Sequence, residues 1–312
     1  DGQSLEELIK QADTAMYQVK ERGRGNYGFY QPQMNANLLS RMKMEHAMRQ
    51  ALGRGHMAVH YQPQVDMATG RIVGAEALAR WTDPELGVVS PGVFIQLAEE
   101  SGFIVTLGAW VMEQAIKEAA YWSNCGSPMV VSVNVSALEF RQVGFVERVT
   151  VLLNRYGLPA QLLELELTES VLLHDAQEMA QVLAALTGMG LKLAIDDFGT
   201  GYSSMAYLKK LAIHRLKIDR TFVSGLPGDD GDRAIVQAVV SMGQALGISV
   251  VAEGVETQAQ RQTLQGMGCE YYQGFLCAAA LPAQEFRRRV SALANAPTVD
   301  PADPKGVGNR VM

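Results

Sequence analysis

The chain has 312 residues, 48% of them hydrophobic and 19% charged, which suits one large domain or two small ones and needs no covalent staples for its core. A formal net charge of −6 argues against the basic face that binds long nucleic acid, but leaves room for a small anionic ligand whose charge a metal offsets locally. Three cysteines, Cys125, Cys269 and Cys277, with no C-x-x-C spacing, argue against a disulfide framework or a zinc ribbon and predict a reducing, cytoplasmic environment.

No apolar run is long enough to span a membrane, and the chain opens at Asp1 inside a helical pattern. It therefore reads as a fragment of a longer protein, with room upstream for sensor domains or a membrane anchor. Apolar residues at Leu5, Leu8, Ile9, Ala12, Met16 and Val19 predict a helix over 4–21. GRGNYGFY then predicts a Gly-rich turn and a short aromatic strand, a unit too small to bury its own apolar face. A second amphipathic stretch over 34–52, closed by Gly53 and Gly55, predicts a linker helix.

From residue 58 short β-rich runs alternate with helical ones. MAVHYQPQV, RIVGAEALARW, MVVSVNVS, LLELELTE, LKLAIDD, HRLKID, ISVVAEG and EYYQGF are the expected strands, and a last helix is expected over 283–294. About eight strands in this alternation predict an α/β fold, a TIM-like (β/α)8 barrel rather than an open sheet. The first two strands flank MATG, so the barrel is expected to start with an antiparallel hairpin. The Pro-, Asp- and Gly-rich tail over 296–312 is expected to be disordered.

In such a barrel the site lies at the C-terminal strand ends. The polar residues expected there are Glu76, Asn134, Glu166, Asp196 with Asp197, Lys217, Glu253 and Gln273. Singly, each has an ordinary reading as a helix cap, a turn residue or a solvated side chain. Glu164 and Glu166 alternate with leucines and share a face, as they would on an exposed edge strand too. Together, the carboxylates would repel one another and raise each other's pKa values unless cations offset the charge. The ligand set is all oxygen, and the five histidines show no metal spacing, which suits Mg²⁺ or Mn²⁺. Adjacent aspartates suit two metals, an arrangement favouring in-line displacement at phosphorus, and Lys217 adds a cation beside the phosphate or the attacking water. GTGYSS lacks the spacing of a nucleotide-triphosphate loop and predicts a tight, mobile loop beside the site.

GAEALARW carries a Glu-Ala-Leu signature. With YQPQV, FIQLAEESG, VNVS, LELELTES, DDFGTGYSS, LKIDRTFV, AEGVET and YYQGF in the same order, the chain resembles the EAL domain of bacterial cyclic di-GMP phosphodiesterases over roughly residues 40–290. ADTAMYQVKERGRGNYGFY resembles the end of a GGDEF (diguanylate cyclase) domain. The resemblance implies a remnant of that domain over 1–32, a linker helix over 33–55 and a phosphodiesterase barrel over 56–295. It implies a barrel with one antiparallel strand and hydrolysis of cyclic di-GMP to linear pGpG with two Mg²⁺ or Mn²⁺ ions. It also implies a homodimer, with further cyclase and sensor domains upstream. By position, Glu76, Asn134, Glu166 and Asp196 match the family's metal ligands and Asp197 the ligand of the second metal. Glu253, also counted among the metal-site residues, and Lys217 match the residues that place or activate the water. Gln62, Leu78, Arg80, Asp219 and Gln273 match substrate contacts, and Glu169 matches the glutamate that holds the loop after the aspartate pair. One departure is Ala278-Ala279-Ala280, where the family usually has a small residue, a basic residue and a proline. The alternatives are a non-catalytic cyclic di-GMP receptor, against which the retained carboxylates count, and an unrelated two-carboxylate glycosidase, which explains neither Lys217 nor the paired aspartates.

Overall fold

A computed structural model describes residues 4–21, 27–169, 176–199 and 212–294. The chain divides into two compact units, one of residues 1–58 and 80–107, the other of residues 59–79 and 108–312. The expected disordered tail and the segment after Gly199 lie outside the described residues.

The first unit holds two helices, Leu5–Glu21 and Pro32–Arg54, and the helix Pro91–Glu100. The stripe expected on the first helix is largely exposed at Leu5, Leu8, Ile9 and Met16, as its small size requires. Gly53 lies inside the second helix, and Gly55, at φ 72°, follows its end. The expected aromatic strand is not formed. Tyr27 and Phe29 are exposed and meet only edge to face, with no strand partner among the described residues. A short strand that the sequence pattern did not suggest, β3 (Gly87–Val89), pairs antiparallel with the end of β2 (Ile72–Asp83). Trp81 packs edge-on against Phe94 in this unit's core.

The second unit contains the barrel apart from the first two residues of β1 and the last four of β2. Its strands are β1 (Met57–Asp66), β2, β4 (Val130–Asn134), β5 (Leu163–Thr168), β6 (Lys192–Phe198), β7 (Arg215–Ile218), β8 (Ser249–Ala252) and β9 (Tyr271–Gln273). The order β1-β9-β8-β7-β6-β5-β4-β2 closes through a β1–β2 pairing. Neighbours from β2 round to β9 run parallel, while β1 is antiparallel to β9. The expected (β/α)8-type barrel with one reversed strand is the fold observed. A further two-residue strand, β10 (Leu281–Pro282), pairs with β1 and precedes the last helix, Ala283–Ala294.

Local chemistry sets the element boundaries. Ser136 with Glu139 and Thr257 with Gln260 form capping boxes, and Asp219 and Asp229 cap the helices Arg220–Ser224 and Asp230–Leu246. Period-two alternation then separates the strand faces. Leu163, Leu165 and Leu167 are fully buried against the outer layer, each worth about 1.5–3 kcal/mol. Glu164 and Glu166 occupy the opposite face, and both are buried too, which excludes the exposed edge strand.

Candidate functional site

Successive inward-facing positions on each strand build two levels inside the barrel. The upper level carries Glu76, Asn134, Glu166, Asp196, Lys217, Glu253 and Gln273. Glu76 lies mid-strand, because β2 continues to Asp83, and Lys217 stands one residue before the end of β7. The register pairs Glu76 with Ser132 and Asn134 with Glu166, so these side chains share the interior face.

Lys217 sits at the centre. Its side chain is 1% exposed, and its Nζ lies 2.5 Å from Glu166, 2.8 Å from Glu253, 3.0 Å from Asp196 and 3.4 Å from Glu76. Glu76 also accepts hydrogen bonds from Asn134 Nδ2 at 2.6 Å and Gln273 Nε2 at 2.5 Å. Gln273 Nε2 donates to Gln62 Oε1 as well, at 3.1 Å. Two groups of carboxylate oxygens lie close enough to share an ion: Glu76, Glu166 and Asp196, and Asp196, Asp197 and Glu253. Asp196 belongs to both. Buried Glu166 Oε1 and Gln273 Oε1 have no hydrogen-bond partner among the described residues. An all-oxygen donor set with orphaned acceptors fits a hard divalent cation.

Asp196 and Asp197 both belong to this cluster because β6 is irregular. Ile195 pairs with Leu216 and Phe198 with Ile218, so β6 carries one extra residue over the interval. Asp197 takes φ 53°, the left-handed region, and its N–H donates to Asp196 Oδ1 at 3.0 Å.

Charge crowding acts unevenly. Burial, the Glu76 charge and other carboxylates push Glu166 well above the usual carboxylate range, against the pull of Lys217. Burial and the charges of Asp196 and Asp219 push Asp197 up to about 6, and burial is also the main cause that takes Glu253 to about 7. Glu76 moves the other way. Burial raises it, but Lys217 and hydrogen bonds from Gln273 and Asn134 outweigh burial and hold it below its ordinary value. The expectation that every carboxylate rises is therefore corrected at Glu76. Burial alone would lower Lys217, yet the surrounding carboxylates hold it well above the ordinary lysine value.

Asp219 follows β7, accepts from Thr221 N at 2.9 Å and shares a hydrogen bond with Asp197. Gln62 Nε2 donates to the Ala278 carbonyl at 3.3 Å, so the alanine run is tied to β1 by its backbone. Leu78 lies on β2 two residues past Glu76, and Arg80, in the other compact unit, follows two residues later. Glu169 is buried directly after β5, and neither carboxylate oxygen has a partner among the described residues. The GTGYSS loop beyond Gly199 lies outside them. The sequence reading missed the lower level, where Arg215, Glu164, Gln64 and Ser132 form a buried polar network. The signal was present at i−2: Arg215 before Lys217, Glu164 before Glu166, Ser132 before Asn134.

The EAL domain profile matches residues 45–280, more than half the chain. The chain belongs to the EAL domain family. Its relatives include the bifunctional diguanylate cyclase/cyclic di-GMP phosphodiesterase MucR of Pseudomonas aeruginosa, 44% identical over 292 residues, which cover 93% of this chain and 43% of MucR. The cyclic di-GMP phosphodiesterase NbdA of the same organism is 39% identical over 92% of this chain and 37% of its own length. This EAL chain thus spans less than half the length of either relative. Among solved structures, the MucR phosphodiesterase in its c-di-GMP complex superposes with a TM-score of 0.76 at 44% identity, covering 78% of this chain and 99% of that one. No helix among the described residues of this EAL chain is long and apolar enough to cross a membrane.

Proposed function

We propose that this chain is a metal-dependent phosphodiesterase that hydrolyses one phosphodiester bond of cyclic di-GMP to give linear pGpG. The observation that carries the reading is the pair of carboxylate groups meeting at Asp196 around Lys217. The names of MucR and NbdA support the substrate and the reaction class. Two divalent cations, Mg²⁺ or Mn²⁺, fit this donor set. Glu76, Asn134, Glu166 and Asp196 would hold one, and Asp197 with Asp196 and Glu253 the other. Bound there, the cations supply Lewis-acid polarisation of a phosphoryl oxygen and charge neutralisation.

The chain's own groups account for the remaining work. Glu253, 2.8 Å from Lys217 and grouped with Asp196 and Asp197, would take a proton from the attacking water. Lys217 keeps a fixed positive charge where negative charge develops on phosphate. Gln273 holds Glu76 in place through its amide nitrogen, and its carbonyl oxygen, without a partner among the described residues, is free to meet substrate. Gln62, Leu78, Arg80 and Asp219 are proposed substrate contacts. Glu169, whose carboxylate oxygens have no partner among the described residues, is proposed to hold the loop after β6. A homodimer, a GGDEF remnant over 1–32 and upstream cyclase and sensor domains belong to the same proposal. The greater length of the relatives is in keeping with further domains in the full-length chain, and sedimentation of the purified chain tests the dimer.

Purified protein incubated with cyclic di-GMP and Mn²⁺ or Mg²⁺ should yield pGpG by chromatography, and EDTA should abolish the product. A chain that binds the dinucleotide and cleaves none of it with either metal would be a receptor and would overturn the proposal.

A further inference from the structure

Two cation–carboxylate pairs bridge β5 and β7 inside the barrel. The upper is Lys217–Glu166, and the lower is Arg215–Glu164, with Arg215 Nη1 donating to Glu164 Oε1 at 2.9 Å and to Gln64 Oε1 at 3.1 Å. Each member of the lower pair stands two residues before its counterpart, on the same strand face. The lower pair is buried and held through Glu164 Oε1, while Glu164 Oε2 has no hydrogen-bond partner among the described residues. Ser132 Oγ donates to Glu164 Oε1 at 2.8 Å, Gln64 Nε2 reaches Ser132 Oγ at 3.3 Å, Arg215 Nε approaches Ser249 Oγ at 3.4 Å, and the guanidinium lies 5.0 Å from the Tyr271 ring centre. Gly74, two residues before Glu76, leaves the space this network needs. A Cβ there would meet the Val130 carbonyl at 2.8 Å and Gln64 Oε1 at 3.1 Å.

β6 lies between the two bridged strands, and its pairing with β7 slips by one residue at Asp196–Asp197. The hydrogen-bond ladder is therefore broken at the level of Lys217. The proposed function requires Glu166 to serve a cation, which competes with the short Lys217–Glu166 contact. Below the slip β6 still pairs in register with both neighbours, at Glu166–Ala194 and Ala194–Arg215, and there the lower pair adds a direct side-chain tie between β5 and β7 that does not pass through the slipped segment. We propose that Arg215 and Glu164 are positioning residues for the metal centre: they fix the height of β7 against β5, so that Lys217 can yield Glu166 to a cation without leaving its place. The inference rests on the proposed metal site but not on the identity of the substrate.

The test replaces the pair with apolar residues of similar length, Glu164→Leu with Arg215→Met. This leaves no lone buried charge and keeps the fold in favourable cases. Mn²⁺ binding is measured by calorimetry beside thermal melting. The expected result is a melting temperature at or above the parent's, with Mn²⁺ affinity weakened about tenfold, the low end of the loss on removing a direct partner of a ligand, because this pair acts on the ligands only through strand position. On cyclic di-GMP, kcat should fall while KM holds. Unchanged Mn²⁺ affinity overturns the inference, whether the melting temperature is kept or lowered. Should the double variant fail to fold, Glu164→Gln with Arg215→Met takes its place, which breaks the tie between the strands, leaves no lone charge and keeps an amide for Ser132 to donate to; there, Mn²⁺ affinity equal to the parent's overturns the inference. A parent chain that binds no Mn²⁺ overturns the proposed metal site and this inference with it. A parent that binds Mn²⁺ but cleaves no cyclic di-GMP overturns only the proposed reaction.

Discussion

Lys217→Met removes one charge and little volume, and it isolates what holds the carboxylate cluster together. Four carboxylates lie within 3.4 Å of Nζ, and Glu76 and Glu166 are almost wholly buried. Deleting one partner of a single buried ion pair costs about 3–5 kcal/mol, because the other charge is left uncompensated. Here the deleted partner serves several carboxylates, so the upper end of that range applies. With a urea m-value of about 3 kcal/mol/M for a domain of this size, the denaturation midpoint in EDTA should fall by about 1–2 M. Mn²⁺ should then raise the variant's midpoint more than the parent's, because the cation replaces the missing positive charge. Urea denaturation followed by circular dichroism, with and without Mn²⁺, measures both shifts. A variant that unfolds at the parent's midpoint in EDTA would refute the central role given to Lys217.

Glu76→Ala removes the acceptor shared by Asn134, Gln273 and Lys217; pGpG formation should drop by orders of magnitude, and near-normal turnover would show that the site is misassigned. Gly254→Ala places a Cβ at φ 66° and within 2.5 Å of Arg220 Cβ, and should cost about 1–3 kcal/mol or more by thermal denaturation, whereas a neutral result would mean the Arg220 backbone gives way freely. Of the three free thiols, exposed Cys125 should react at once with a thiol reagent at pH 8. Burial pushes Cys269 up to about 12, so it stays protonated there and should react only on unfolding; its early reaction would contradict the packing beneath β8 and β9.

The strands of the barrel were readable because each pairs an apolar run with a period-two partner face. LELEL showed that Glu164 and Glu166 share a side, but only barrel closure, a contact between distant segments, decides that this side is dry. The same limit hid Arg215, which in HRLKID reads as a surface basic residue until Gln64, Ser132 and Glu164 arrive from other strands. Gly87–Val89 is too short for periodicity to register, and its pairing with β2 is what carries that strand past Glu76 to Asp83. At Tyr27–Tyr30 aromatic content suggested a strand, but propensity alone does not supply a pairing edge. The rise of Glu166, Asp197 and Glu253 follows from burial first and from neighbouring carboxylates second; the fall of Glu76 depends on two amides and a lysine whose convergence no local pattern encodes.

The slip in β6 carries a consequence for comparing related chains. On a regular strand, neighbouring side chains point to opposite faces, so two adjacent aspartates would divide between the interior and the helix layer. The extra residue between Ile195 and Phe198 is what lets both belong to one cluster. What is specified there is a count as much as a pair of letters. A chain that keeps both aspartates but lacks one residue between these pairing points would turn a carboxylate into the apolar layer and lose the arrangement. A change of length at this point should therefore be weighed as heavily as a change of residue.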